Sequence, residues 1–335
     1  MVGVRVTPSL DTLGSIQIAQ RPMKETYPDV VYAGGNYFLV WDDMNVGADT
    51  TNFYIVTSRV TPAGAVLDTP VVLSQPLGIT DMNNARIGFD GERCLAVWNN
   101  ISGTIFGRFV DSTGQPAGTA FTVLASGGSK PDLAFDGANY LVIWYNNSYD
   151  VVGQFVSPLG QLVGGQVVVA TGSDQQLFSR VTYDGQKYLV VWRQAQTTNK
   201  LICGQFISPF GGLIGGNFVI SDATTNQKWY AVAAASDQNY LVAWDEDRNG
   251  VITDIYGNVD VEINAIHELK PGTGPAGRFP TVFRGALDLF TNHDYLIYDA
   301  TGRRIKIAAG VLPGVYFIKD SRDSGSVMRK VVVVD

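Results

Sequence analysis

"FDGANYLVIW", residues 135–144, has four relatives in the same chain: "YAGGNYFLVW" (32–41), "FDGERCLAVW" (89–98), "YDGQKYLVVW" (183–192) and "ASDQNYLVAW" (235–244). Each ends on a tryptophan, and these anchors, Trp41, Trp98, Trp144, Trp192 and Trp244, follow one another at steps of 57, 46, 48 and 52 residues. A motif returning at such a period marks a repeat architecture. In the copy spanning 130–170, "PDLAF" reads as a short apolar strand. "DG" is a type I′ hairpin signal, which wants positive φ at both central residues. "NYLVIW" is a second strand, rich in aromatic and β-branched residues. "VVGQFVSP" is a third, closed by Pro and Gly, and "QVVVA" a fourth. Four short antiparallel strands, repeated without helix signals, predict an all-β fold: a five-bladed β-propeller of four-stranded blades over residues 1–267. A single blade is too small to bury both its faces. Stacked blades bury one another, with Trp and Tyr filling the layers between them.

Counting strands by type raises a problem. The first two strands occur five times each. The third occurs six times, at "VGVRVTP" (2–8), "VTSRVTP" (56–62), "FGRFVDS" (106–112), "VGQFVSP" (152–158), "CGQFISP" (203–209) and "YGNVDVE" (256–262). The fourth occurs at "SIQIA" (15–19), "PVVLS" (70–74), "AFTVL" (120–124), "QVVVA" (166–170) and "NFVIS" (217–221), and the last repeat lacks one. "SIQIA" is therefore expected to complete the last blade and close the ring. "VGVRVTP", with Val2, Val4 and Val6 on one face, is then a surplus strand. It can pair within its own ring, displacing "YGNVDVE", be disordered as a terminal segment, or add to another subunit and build a filament. A six-bladed ring would need "VGVRVTP" and "SIQIA" to be half of a further blade.

Composition narrows the function. Of 335 residues, 45% are hydrophobic and 16% charged, the signature of a folded core. The net charge of −7 argues against a nucleic-acid partner. No apolar run is long enough for a transmembrane segment, and "MVGVRVTPSL" has no signal-peptide pattern. Cys94 and Cys203 fall on apolar strands of different repeats and read as buried inert thiols.

The repeat resembles that of bacterial secreted β-propeller proteins, with the pattern "DGxxYLVVW…GQxVSPxG". After it, "ELKPGTGPAGRFP" (268–280) is Pro/Gly-rich and reads as a linker. Residues 281–335 carry "YDATGRRI" (298–305), "LPGVYFIK" (312–319) and "MRKVVVVD" (328–335), turns between alternating strands that suit a small immunoglobulin-like β-sandwich. These three motifs in order resemble the C-terminal sorting domain of the type IX secretion pathway, although the chain ends on Asp335 where that family usually has a basic residue. The resemblance implies export and an extracellular or outer cell-surface location.

Aligned on the tryptophans, the start of the first strand carries Asp29, Arg86, Asp132, Arg180 and Val232. Two readings follow: inter-blade ion pairs Asp29–Arg86 and Asp132–Arg180, or a polar channel mouth for a sugar or carboxylate. A glycoside hydrolase needs two carboxyls of different ionisation. An Arg neighbour is expected to keep Asp29 and Asp132 both ionised, which argues against the enzyme. "DEDRNG" offers Asp245, Asp247 and Asn249 as a weak calcium loop that lacks its closing Glu; otherwise no metal or cofactor is expected. His267 and His293 lie outside any metal-ligand or triad spacing. The variable loop after the first tryptophan, with Asp42, Asp43, Asn45, Asp49 and Asn52, is the candidate binding face for a glycan or a protein surface. The expectation is an exported, non-catalytic binding, adhesion or structural protein. The alternatives are a self-assembling filament subunit and a five-bladed glycoside hydrolase.

Overall fold

The computed structural model describes residues 1–7, 11–20, 24–44, 52–74, 81–196, 200–221, 228–236, 239–246 and 254–259, and residues 282–284, 295–299, 304–305, 314–320 and 329–334. The chain forms two compact units. One holds residues 1–5 and 13–268, the other 6–12 and 269–335.

The first unit is a five-bladed β-propeller. At its start, β1 (Val2–Val6) pairs with β2 (Thr12–Gln17) in a sheet of their own. Blade 1 is β3 (Glu25–Ala33), β4 (Asn36–Asp43), β5 (Tyr54–Val60) and β6 (Val71–Val72). Blade 2 is β7 (Met82–Phe89), β8 (Cys94–Asn100), β9 (Ile105–Val110) and β10 (Pro116–Leu124). Blade 3 is β11 (Gly128–Phe135), β12 (Tyr140–Asn146), β13 (Val151–Val156) and β14 (Leu162–Ala170). Blade 4 is β15 (Gln175–Tyr183), β16 (Tyr188–Ala195), β17 (Lys200–Ile207) and β18 (Leu213–Ser221). Blade 5 is β19 (Lys228–Ser236), β20 (Asn239–Glu246) and β21 (Asp254–Val259). Blades 1 to 4 are four-stranded antiparallel meanders, and the described part of blade 5 has three strands. Among the described residues "SIQIA" pairs with β1 and not with the fifth sheet.

The hairpins follow local chemistry. In blade 1, Gly34 and Gly35 both take positive φ (55° and 85°) in a two-residue turn, as a type I′ turn requires. The "DG" turns of blades 2 to 4 are longer than the expected type I′. Only their glycine is left-handed, and the Asp carboxylate closes the loop. Asp136 Oδ1, for example, accepts the amides of Ala138 and Asn139 at 2.7 Å each, and Asp90 and Asp184 do the same. Asx turns of this kind replace the need for a second left-handed residue.

The core lies between blades. Trp41, Trp98, Trp144 and Trp192 are fully buried and Trp244 nearly so. The cluster between blades 3 and 4 joins Leu141, Ile143 and Val169 of one to Val181, Tyr188 and Trp192 of the next. Cys94 and Cys203 are free and buried in these layers, and burial pushes the Cys94 thiol up to about 12.

In the second unit, the described strands are β22 (Val282–Arg284), β23 (Tyr295–Asp299), β24 (Arg304–Ile305), β25 (Gly314–Asp320) and β26 (Arg329–Val334). They form a single sheet in the order β22-β26-β25-β23-β24, with β22 and β26 parallel. A second layer of the expected sandwich does not appear among the described residues. The linker 268–280 lies outside them. Among the described residues no helix is long and apolar enough to cross a membrane.

Candidate active site at the inner strands

The inner strand of each blade carries the same irregularity. Between Thr26 and Asp29, Asn83 and Arg86, Ser129 and Asp132, and Leu177 and Arg180, the register with the second strand shifts by a bulge. Inside each bulge one residue is left-handed: Tyr27, Asn84, Lys130 and Phe178, at φ of 51°, 61°, 50° and 57°. Bulges re-aim side chains; those of Tyr27, Lys130 and Phe178 come together, while Asn84 Nδ2 donates to Asn99 Oδ1 at 3.1 Å. Lys130 Nζ stands 4.2 Å from the Phe178 ring centroid and 5.8 Å from that of Tyr27. The Arg193 guanidinium lies 4.7 Å from Phe178. Burial, with the nearby Arg180, Arg86 and Arg193, lowers the Lys130 ammonium to about 8. Sequence reasoning missed this set, although its signal was there: the four occupy one aligned position, fourteen residues before each tryptophan.

Two residues further on, Asp29, Arg86, Asp132 and Arg180 come together across the blades. Asp29 Oδ2 accepts the amide of Ile87 at 2.9 Å, and Asp132 Oδ2 that of Val181 at 2.8 Å, so each carboxyl ties its blade to the next. Arg86 reaches forward, its Nε 3.9 Å from Asp132 Oδ1. Asp132 is buried, and burial raises its pKa; Arg180 and Arg86 pull the other way, and Asp29 adds to the rise. Desolvation is the largest of these effects. Asp29 is less buried.

Asp42 and Asp43 correct the expected binding loop. Both are fully buried at the end of β4. Asp42 accepts the amides of Asn84 and Ala85 at 2.8 and 3.2 Å, capping the bulge of blade 2. Burial pushes its carboxyl up to about 7. Asn99 holds the same place in blade 2 and accepts the Lys130 amide at 3.1 Å. Asp43 accepts the Trp41 indole N–H at 3.2 Å. Asn52 is half-buried, while Asn45 and Asp49 lie outside the described residues. So do Asp247 and Asn249 of the calcium candidate; Asp245 lies in β20, half-buried. Among the described residues no group of three or more His, Cys, Asp or Glu could hold a metal ion. Val2, Val4 and Val6 lie exposed on β1.

No family model matches the chain, and no curated protein does. Solved structures do. The GH43 endo-arabinanase from Bacillus licheniformis matches at 11% identity over 71% of this chain and 95% of its own, with a TM-score of 0.43. The native Bacillus subtilis arabinanase matches at 11% identity, 69% and 92% coverage and a TM-score of 0.45. The catalytic domain of the Coprinopsis cinerea GH62 α-L-arabinofuranosidase matches at 14% identity, 77% and 94% coverage and a TM-score of 0.46. At these values the likeness concerns the fold alone. These three neighbours are glycoside hydrolases by name, where the expectation for this chain was a non-catalytic protein; Asp132, expected to be ionised by an arginine, is instead pushed toward its neutral form by burial.

Proposed function

We propose that the propeller is a glycoside hydrolase working at its inner strands on an acidic polysaccharide. The observation that carries this is the divided pair of carboxyls. Asp132 is driven toward its neutral form by burial and by Asp29 beside it, while Asp29 sits in a wetter place. Two carboxyls whose surroundings differ in this way suit glycosidic cleavage. Asp132 gives its proton to the departing glycosidic oxygen as the bond to the anomeric carbon breaks. The Asp29 carboxylate supplies the negative charge that stabilises the oxocarbenium-like centre or activates the water that replaces the leaving group. Lys130, Arg180 and Arg193 favour a sugar bearing carboxylate or sulfate groups, and the Tyr27 and Phe178 rings offer apolar faces for it to lie on.

The test is release of reducing ends by the full chain from polygalacturonate or alginate, with neutral arabinan as comparison. Cleavage of the acidic polymers is expected. It falls by about a thousandfold or more in Asp132→Asn and Asp29→Asn with melting temperature held within a few degrees. The rate declines as pH rises through the raised pKa of Asp132, because the acid must be protonated. No release from any polymer would overturn the enzyme; release from arabinan alone would overturn the acidic substrate.

The second unit supports export as part of this reading. The described parts of "YDATGRRI" (298–299 on β23, 304–305 on β24), of "LPGVYFIK" (314–319 on β25) and of "MRKVVVVD" (329–334 on β26) lie in one sheet. An enzyme delivered outside the cell by that unit would meet polysaccharides too large to enter. Removing residues 282–335 in a host with the type IX pathway is expected to leave the propeller inside.

A further inference from the structure

The inner strands pack in sequence, β3 on β7, β7 on β11, β11 on β15 and β15 on β19. Among the described residues β19 and β3 make no comparable packing, so blade 5 and blade 1 meet at a seam. Burial shows the consequence. Val30 of blade 1 is 54% exposed, while Ile87, Leu133 and Val181 at the same repeat position are 5, 7 and 6% exposed. Tyr37 is 39% exposed, against 0% for Tyr140 and Tyr188. Across the seam, Leu241 of blade 5 is 48% exposed, against 0% for Leu95, Leu141 and Leu189. Both walls of the seam are therefore apolar and bare.

The hairpin β1–β2 already occupies the outer half of this gap. Ile18 and Ala19 pack on Leu39 and Trp41 of blade 1, as Val169 and Ala170 of blade 3 pack on Val190 and Trp192 of blade 4. Arg5 Nη1 donates to the Pro62 carbonyl of blade 1 at 3.2 Å, repeating the bond of Arg59 Nη1 to the Ser112 carbonyl of blade 2 at 2.7 Å. In every such detail β1–β2 behaves as the third and fourth strands of the blade that precedes blade 1. Blade 5 has its own inner pair, β19 and β20, and no fourth strand among the described residues.

We infer that the propeller closes by a clasp: β1–β2 forms the outer half of blade 5, β1 pairing with β20 in the place that β21 holds in this structure. The repeat sets the register. Gly153 faces Ile143 and Phe155 faces Leu141 in blade 3, so Gly3 comes to face Ala243 and Arg5 to face Leu241. Those partners now belong to β21, where Ala243 faces Gly257 and Leu241 faces Val259. Closure gives all five blades four strands and leaves one surplus, β21, to lead toward the second unit's segment. A sixth blade would instead need two further strands for itself and a third for blade 5. Closure brings Val30 and Tyr37 against Leu241 and turns Val2 and Val4 toward blade 4, as Val152 of blade 3 is turned toward blade 2. It also supplies the inner strands with their fifth side.

Disulfide trapping in the full chain reads this directly, because Leu241 and Arg5 are not buried and both native cysteines are. The variants are Arg5→Cys with Leu241→Cys, and Val259→Cys with Leu241→Cys. An oxidised monomer from the first pair is expected; bridges from both pairs would also support a clasp, with β21 exchanging. A bridge from the second pair alone overturns it, as does a first pair that bridges only between two chains, which would mean strand exchange between copies. Hydrogen exchange of the unmodified chain gives a second reading. The β1 amides facing away from β2 are protected in the clasp, and exchange within seconds at neutral pH would overturn it.

Discussion

The interface between blades 3 and 4 and the seam between blades 5 and 1 are built from the same repeat, yet one is dry and the other bare. Leu189 and Leu241 sit at one repeat position, three residues before Trp192 and Trp244. Leu189 is enclosed by blade 5, whereas Leu241 faces the seam. The contrast teaches that burial in a propeller belongs to the neighbour and not to the residue. A blade's own strands decide which face a side chain points to, and the next blade decides whether water reaches it.

The largest expected effect tests that contrast. Leu189→Ala should cost about 2–5 kcal/mol, as for other buried leucines. With the clasp closed, Leu241→Ala should approach that loss; a cost under about 0.5 kcal/mol would mean that the seam stays open. Chemical denaturation of both variants checks this, and equal losses would mean that the seam is closed in solution.

A smaller effect concerns the caps on the bulges, where Asp42 in blade 1 faces the task that Asn99 performs in blade 2. The Asp42 pKa is raised from 3.8 to about 7. The folded chain therefore binds more protons than the unfolded one between these values, and stability falls as pH rises through that window. Asn accepts the same amides without titrating. Asp42→Asn should leave the melting temperature nearly unchanged at pH 4 and raise stability by about 1–3 kcal/mol at pH 8. Thermal melts across that range decide it; a variant less stable at pH 8 would show that the charge is compensated.

The smallest effect compares two tyrosines. The Tyr188 hydroxyl donates to the Asn139 carbonyl of the preceding blade at 3.2 Å, so Tyr188→Phe should cost about 0.5–1.5 kcal/mol. Tyr37→Phe should cost a comparable amount only once the clasp brings blade 5 against it; no measurable change would mean that the wall stays bare. A measurable loss there would again point to closure.

Much of the propeller was legible before any coordinates, because its signals are local. Tryptophan period, Gly-containing turns and alternating strands each reside within ten residues. The turn type was misjudged where a side chain intervened: Asp90, Asp136 and Asp184 close their own loops and spare the second left-handed residue. The axial cluster was half legible. Asp29, Arg86, Asp132 and Arg180 stand at one aligned position and read as inter-blade pairs, but Arg86 reaches forward to the carboxyl of the next blade. Asp42 and Asp43 looked like loop residues because polarity usually marks a loop. Asp42 is buried against two amides of the next blade that need an acceptor, and Asp43 against the Trp41 indole N–H.

By itself the sequence determined which segments are strands, where they turn and how often the unit returns, since these depend on side-chain pattern and backbone preference within one hairpin. Only the tertiary structure decided which carboxyl loses its water, which strand β1 joins, and which apolar faces stay bare. Those outcomes depend on what an adjacent blade brings within a few ångströms, and desolvation and packing act at that range alone.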